Sequence, residues 1–518
     1  MALCPANAQE QISEKLRATS RLVQLDVLVH DSKGAPIRDL TKEDFVVLDE
    51  GRPCRLAFFQ MMEERLRALT VTTDHLFTVN NRSSGMSGGS TAAIVILIDA
   101  LNMGSTEDFL YVKRELPKFL KHLQFWDAVA LYSLAGPTVT VLHDFSDNTE
   151  SLVRAAERGS GGVSRWLGSA SGNGARSPDP QIRAEWTLAA LEGIALHLAN
   201  IPGRKTLVWI SSAFPITIGF TNTEELANGV AHPANGDLES YHERLRRLAR
   251  ILNKVDLSVY PVDPHGLAID GQYSVNAPAN SPARGLPNPR FQTQGENSLG
   301  QFATMDLIAS ETGGRAFYNA NALGDSIQRA VDDSRVTYVL GFYPEEASWD
   351  GKYHRLEVRV NRPGVQVRSR RSYFASDGHP ESEPERDAAL HTAAASALNA
   401  TAIGVTVRVA SIPLKAGAQQ IDISVDPQDV RFQNQDGKWR ADFDLIVSEH
   451  APDGRRLVGE RSQCVVDRAT VAEAQSRELS FHRVIDIQQQ AATLRVLVRD
   501  SSSGAVGSLE VPIGHWRK

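Results

Sequence analysis

Three short runs constrain this chain more than anything else in it. Ile94–Ile98 (IVILI), Lys205–Ser211 (KTLVWIS) and Leu257–Val262 (LSVYPV) are apolar through their middles, with several β-branched residues. Such runs suit strands covered on both faces. Helix-length stretches lie between them. Thr106–Leu123 opens with the capping box Ser105-Thr106-Glu107-Asp108, Ile182–Leu198 is amphipathic and stops at Pro202-Gly203, and Leu238–Lys254 is basic and amphipathic. Further helices are expected at Gln301–Thr312 and Leu323–Ser334. Strands alternating with helices predict a mostly parallel sheet with both faces covered. Open sheets of this kind take ligands at the carboxyl ends of their strands, and Asp99 directly follows the first run.

Outside this region the period changes to two. Arg21–Val29, FVVLDEG and RLAFFQM read as three strands before it, and VTYVLGFYP, HRLEVRVN and VQVRSRRSYF as three after it. Either set is too small to bury a core alone. The economical arrangement is one shared sheet or sandwich with the α/β region inserted. The expected layout is a terminal segment 1–19, a β segment 20–79, a linker 80–91, the α/β domain 92–335, a β segment 336–375 pairing with 20–79, a linker 376–395 and a C-terminal β-sandwich 396–518.

Composition narrows the function. A length of 518 residues suits two to four domains, and a net charge of -7 argues against general nucleic-acid affinity. Only 3 cysteines exclude a disulfide-rich scaffold, and Cys54 and Cys464 fall in different segments. No apolar run approaches the roughly 18 residues of a membrane span. Ala6-Asn7-Ala8 has the small-residue pattern of a signal-peptidase site without a basic or full apolar region before it. A truncated secretory signal and a disordered terminus both remain open on these residues.

Familiar chemical motifs are absent or misplaced. Gly85-Met86-Ser87-Gly88-Gly89 fits a nucleophile elbow, but a linker precedes it and a strand follows. Gly203-Arg204-Lys205-Thr206 resembles the end of a phosphate-binding loop, yet the earlier glycine is missing. His197 has no partner at ligand spacing. Arg244, Arg246, Arg247 and Arg250 read as a solvated helix face, with Glu243 spaced to pair with Arg247.

LDVLVHDSKGAPIRDLTKEDFVVLDEG, VILIDALN, IPGRKTLVWISSAFP, VYPVDPHGL, ASETGGRAFYN and YVLGFYP followed by DGKYHRLEVRV resemble, in that order, a von Willebrand factor type A domain. More narrowly they are similar to the VWFA-related family abundant in acidobacterial genomes. The resemblance covers Arg21 to Phe374. It implies an α/β plus all-β chain, in which a doubly wound, mostly parallel type A (Rossmann-like) sheet is inserted in a β-sandwich-like scaffold. It further implies an extracytoplasmic, non-enzymatic protein-binding or adhesion module with a protein partner in the cell envelope.

Type A domains bind Mg²⁺ through D-x-S-x-S after the first strand, a threonine, and an aspartate after the fourth strand. Here Asp99 matches the acid, but Leu101 and Met103 stand at the hydroxyl positions and Ser212 replaces the carboxylate. Asn102 and Ser105 could add neutral oxygens. Asp99, Asn102, Ser105 and Ser212 therefore make at most a weak, vestigial Mg²⁺ site. The competing reading has Asp99 accepting N–H bonds in its own turn and Ser105 capping the next helix. A different class of function, an enzyme, would use Asp99 and Asp263 as acids; a structural envelope protein is a third possibility.

Partner contacts are expected on the loops Ala100–Ser105, Gly159–Ser177, Ser212–Thr223 and Pro264–Leu299. Phe214, Ile216, Ile218 and Phe220 alternate there. They read either as a docking patch centred on Phe214 and Phe220 or as side chains packed beneath a loop.

Overall fold

The computed structural model describes residues 22–63, 78–81, 93–122, 128–146, 148–158, 178–201, 203–212, 214, 235–264, 302–318, 322–333, 335–345, 349–375, 382–411, 418–452, 454–477 and 479–513. The terminal segment 1–19, most of the 80–91 linker, the Gly159–Ser177 loop and the bulk of the loops after Ser212 and Pro264 lie outside them. The chain divides into two compact units, Met1–Met62 with Val336–Gly378, and Glu63–Arg335 with His379–Lys518.

The first unit is a pair of four-stranded sheets. One runs Gln366–Arg368, Val23–His30, Val336–Phe342, Leu56–Glu63; the other runs Ser372–Phe374, Tyr353–Val360, Phe45–Asp49, Arg52–Cys54. Residues from either side of the α/β insertion are hydrogen-bonded neighbours in both sheets. Leu25 lies opposite Leu340, and Val47 opposite Val358. Leu25, Val27, Val47, Tyr338, Leu340 and Phe342 fill the core between them. A buried clasp closes one side of it, where the two ring nitrogens of His354 face Asp49 at 3.2 Å and Asp350 at 3.1 Å. The Tyr373 hydroxyl also donates to Asp49, at 2.9 Å.

The second unit opens with a five-stranded sheet in the order Leu257–Val262, Lys205–Ile210, Ala93–Asp99, Ala128–Leu134, Val139–Ser146. The first four strands are parallel, and the last runs antiparallel at the edge. All four parallel strands are buried at every position, which explains their unbroken apolar sequence. Period-two alternation still sorts their side chains. Ile94, Ile96 and Ile98 pack on the helices Thr106–His122, Thr149–Arg158 and Leu323–Asp333. Val95 and Leu97 face the helices Pro180–His197, Asn235–Lys254 and 302–311.

One glycine is required here. A Cβ on Gly314 would lie 1.9 Å from the Val259 carbonyl oxygen. Gly314→Ala must therefore push the 302–311 helix away from the Leu257–Val262 strand. It should cost about 2–3 kcal/mol in a denaturant titration. A variant as stable as the parent would show that this contact yields freely.

The rest of the second unit is two antiparallel sheets face to face. One contains Leu479–Asp486, Ala418–Val425, Val405–Ser411 and Thr78–Asn80. The other contains Gln433–Gln435, Lys438–His450, Thr493–Asp500 and Val506–Pro512, with Arg456–Arg468 also paired to Lys438–His450. Ile421, Ile423, Phe443, Leu445 and Val496 form the layer between them.

Three features differ from the sequence reading. Thr78–Asn80 does not belong with the first β segment: it pairs with Val405–Ser411, and Asn81 holds it there by donating to the Ala400 and Ile403 carbonyls at 2.7 and 2.8 Å. The 376–395 linker is not loop throughout. Glu383–Ala395 is a helix opened by a Ser382–Glu385 capping box, and Leu390 and Ala393 are buried with Leu497. Glu243 pairs with Arg246 rather than Arg247, whose guanidinium instead reaches Glu192 at 2.9 Å.

Two motifs from the sequence also find structural roles. The His197 ring lies 2.7 Å from the Asn399 carbonyl, and Thr401 donates to the His197 carbonyl at 2.7 Å. Lys205 buries its ammonium on the carbonyls of Ile201 and Gly203, at 2.6 and 2.7 Å. The Lys205 ammonium is thereby turned to its own loop rather than toward a phosphate.

Candidate functional site

Asp99 ends the central strand of the parallel sheet and starts a 3-10 turn over Ala100–Asn102. Its side chain is 0% exposed. A carboxylate in that position must find donors within the protein. One oxygen, Oδ1, accepts the Asn102 backbone N–H at 3.1 Å. The other, Oδ2, accepts from the Asn102 amide at 2.9 Å, the Trp209 indole at 3.0 Å and the Ser211 hydroxyl at 3.0 Å. Burial pushes the Asp99 carboxyl above the usual carboxylate range, and these donors pull it back.

The network continues outward through Asn102. Its amide also donates to Thr187 Oγ1 at 2.8 Å, and Thr187 in turn donates to the Arg183 carbonyl at 2.8 Å. Arg183 donates from Nη1 to Asn102 Oδ1 at 3.2 Å. Burial lowers the Arg183 pKa, while the charges of Asp99 and Asp179 raise it.

The other candidate residues are committed elsewhere. Ser212 Oγ accepts from Gly104 N at 2.9 Å, fastening the first loop to the end of the Lys205–Ile210 strand. Ser105 Oγ accepts from Asp108 N at 3.1 Å, as an N-cap does. Leu101 is buried in the core on the Val95 and Leu97 side of the sheet, and Met103 packs against the core on the Ile94 and Ile96 side. Asp263 is buried and bonded through its N–H to the Phe317 carbonyl at 2.9 Å.

The fit to a hard cation is therefore poor. Mg²⁺ wants six oxygens, several of them anionic or water. Asp99 brings the one charge among the four proposed ligands, and both its oxygens already accept hydrogen bonds. Among the described residues no group of three or more His, Cys, Asp or Glu side chains is placed to hold a metal ion.

Phe214 needs correcting. It is fully buried, with its ring edge-on to Trp209 at a centroid distance of 6.4 Å. It belongs to the core and cannot form an exposed docking patch; Phe220, Ile216 and Ile218 lie outside the described residues. Trp209, Ser211, Thr187 and Arg183 were missed as members of the site. The available signal was Arg183 and Thr187, four residues apart on an otherwise apolar helix face.

No family model matches the chain, and no curated protein matches it. Among solved structures it is similar to the pilus adhesin SpaC from Lactobacillus rhamnosus GG in its open conformation, at 9% identity and a TM-score of 0.25. That alignment covers 88% of this chain and 56% of the adhesin, so the chain spans just over half of its length. A TM-score so low carries no argument about fold or function. No helix among the described residues is long and apolar enough to cross a membrane.

Proposed function

We propose that the chain is a non-enzymatic, extracytoplasmic protein-binding module of the adhesion type, built on a type A-like domain whose metal site has degenerated. The resemblance in sequence and the doubly wound, mostly parallel sheet with an acid at the end of its central strand support the type A reading. The observation that carries the degenerate site is the closure of Asp99 by four donors from the protein itself. Contact with a partner then depends on side chains and loops at the sheet's carboxyl edge rather than on a bound ion. Burial also argues against Asp99 and Asp263 as catalytic acids, because neither can meet a substrate without the edge opening.

Two measurements test this. Millimolar Mg²⁺ or Mn²⁺ should move the melting temperature by no more than about 1 °C. A larger rise that disappears in Asp99→Asn would restore a working metal site. A photo-crosslinking residue at exposed Ser105, on the carboxyl edge, should capture an envelope protein. The same residue at exposed Lys121, which precedes the amino end of the next strand, should not. Equal capture from both positions, or none from Ser105, removes the edge as the binding surface.

A further inference from the structure

Arg456–Arg468 is a 13-residue strand at the edge of its sheet. Among the described residues it pairs only with Lys438–His450, so the N–H and C=O groups on its other side face outward. A long open edge invites another strand, and proteins usually blunt it with proline, a bulge or charge. This strand holds no proline, and its one irregularity lies at its beginning, opposite Glu449 and His450. Val458 and Val465 are 45% and 50% exposed along it. Its guard is charge: Arg456, Glu460, Arg461, Asp467 and Arg468. Whether those charges repel a second copy depends on register.

Two identical antiparallel strands join through a two-fold axis normal to the sheet. Facing residues must point to the same side of the sheet, so the axis passes through one residue, which meets its own copy. An axis at Glu460 or Arg461 sets like charges against each other, and one at Ser462 sets Arg456 against Arg468. Axes at Gly459, Gln463, Val465 or Val466 leave every charge of the strand facing a neutral residue. An axis at Val458 matches Arg456 with Glu460, but only over residues 456–460 and across the bulge. Cys464 is different. An axis there matches Glu460 with Arg468 and Arg461 with Asp467, in a ladder spanning residues 460–468, and symmetry makes each pair twice.

The two pairs lie on opposite faces of the sheet. Arg461 and Asp467 share the face that carries the Glu383–Ala395 helix, where Arg461 reaches Asp387 at 2.7 Å. Glu460 and Arg468 share the other face with Cys464, which lies opposite core residue Phe443. The same register lays Gln463 of the second copy beside exposed Val465.

We propose that Arg456–Arg468 is a homodimerisation edge, to which a second copy of this chain adds its own Arg456–Arg468 antiparallel with the two-fold axis at Cys464. The occupant is a second copy because the strand supplies its own complement, an acid followed by a base at both ends of one ladder. Backbone hydrogen bonds provide the association, and the facing charges select the register. The proposal is independent of the type A reading, since the edge belongs to the carboxyl-terminal sandwich.

Sedimentation equilibrium of the full chain tests it, in reductant so that no disulfide contributes. The parent should be a dimer at about 100 μM. Glu460→Arg and Arg468→Glu each set like charges opposite one another twice, and each should weaken the dimer at least about tenfold. Their melting temperatures should stay within about 2 °C of the parent, because neither side chain is buried. Mixing the two variants is the decisive arm. In the mixed dimer a basic edge meets an acidic one at both positions, so an equimolar mixture should recover the parent's affinity to within about threefold.

A monomeric parent overturns the proposal. So does a dimer that both variants leave intact, which would place the interface elsewhere. Two weakened variants whose mixture recovers nothing would remove the Cys464-centred register, and the proposal with it. Exposed Asp467→Arg, which faces Arg461, takes the place of Arg468→Glu if that variant fails to fold. It should weaken the dimer by the same tenfold or more, and an unchanged dimer would again overturn the proposal.

Discussion

Asp99→Ala should lower the melting temperature of the α/β body by roughly 8–16 °C. The substitution leaves the Asn102 N–H, the Asn102 amide, the Trp209 indole and the Ser211 hydroxyl without their common acceptor. Each buried donor left unmade costs about 1–3 kcal/mol. Some will find other partners, so a total of about 4 kcal/mol is reasonable, and each kcal/mol shifts a body of this size by about 2–4 °C. Scanning calorimetry reads it directly. A shift of less than about 3 °C would mean that the donors re-pair cheaply and that Asp99 does not organise the edge.

The pH dependence has a definite sign. Burial raises the folded-state pKa of Asp99, so its contribution to stability is fully present below the ordinary carboxylate pKa. It is lost as pH rises through the raised value. Asparagine does not titrate. The stability difference between the parent and Asp99→Asn should therefore be largest in acid and shrink toward neutrality. A difference that grows with pH would place the Asp99 pKa on the other side of the ordinary value.

Deleting residues 23–62 should have the other large effect. It removes Val23–His30 and all but the last residue of Leu56–Glu63 from one sheet of the first unit, and Phe45–Asp49 and Arg52–Cys54 from the other. Val336–Phe342 would lose its hydrogen-bonded neighbours on both sides, exposing Tyr338, Leu340 and Phe342. The shortened protein should bind a hydrophobic dye and lose one cooperative unfolding transition. The second unit, with Thr78–Asn81 retained, should keep its own. A shortened chain that shows both transitions and no dye binding would mean that 336–375 folds without these strands.

The parallel sheet was legible because its strands are buried on both faces. IVILI, KTLVWIS and LSVYPV cannot be amphipathic, and the helices between them carry clear periods and caps. The Glu383–Ala395 helix was not legible, because GHPESEPER opens with Pro, Gly and a run of charges. Those charges turned out to supply its capping box. Thr78–Asn80 is too short to declare the sheet it joins; its place depends on Asn81 meeting Ala400 and Ile403 far along the chain.

The site divides in the same way. Asp99 stood out by position, and the loss of hydroxyls at Leu101 and Met103 could be read directly. Phe214 was misjudged because an alternating apolar run looks the same whether it faces solvent or the back of Trp209. Arg183 was invisible for the opposite reason. An arginine in the first turn of a helix is ordinary, and only its hydrogen bond to Asn102 ties it to the site.

The split composition of the first unit imposes an order in time on the nascent chain. Its first half is finished at Met62, yet its second half begins only at Val336. At roughly 5–20 residues per second, the ribosome delivers Val336 about 14–55 s after Met62. For that interval Val23–His30 has no Val336–Phe342 to pair with, and its edges are open to any other extended chain. The α/β sheet can close in the meantime, since its strands and helices arrive in sequence. Some of the earliest residues made thus wait unpaired while the α/β sheet closes after them, and a crowded polysome is where this chain is most exposed to strand exchange with its own copies.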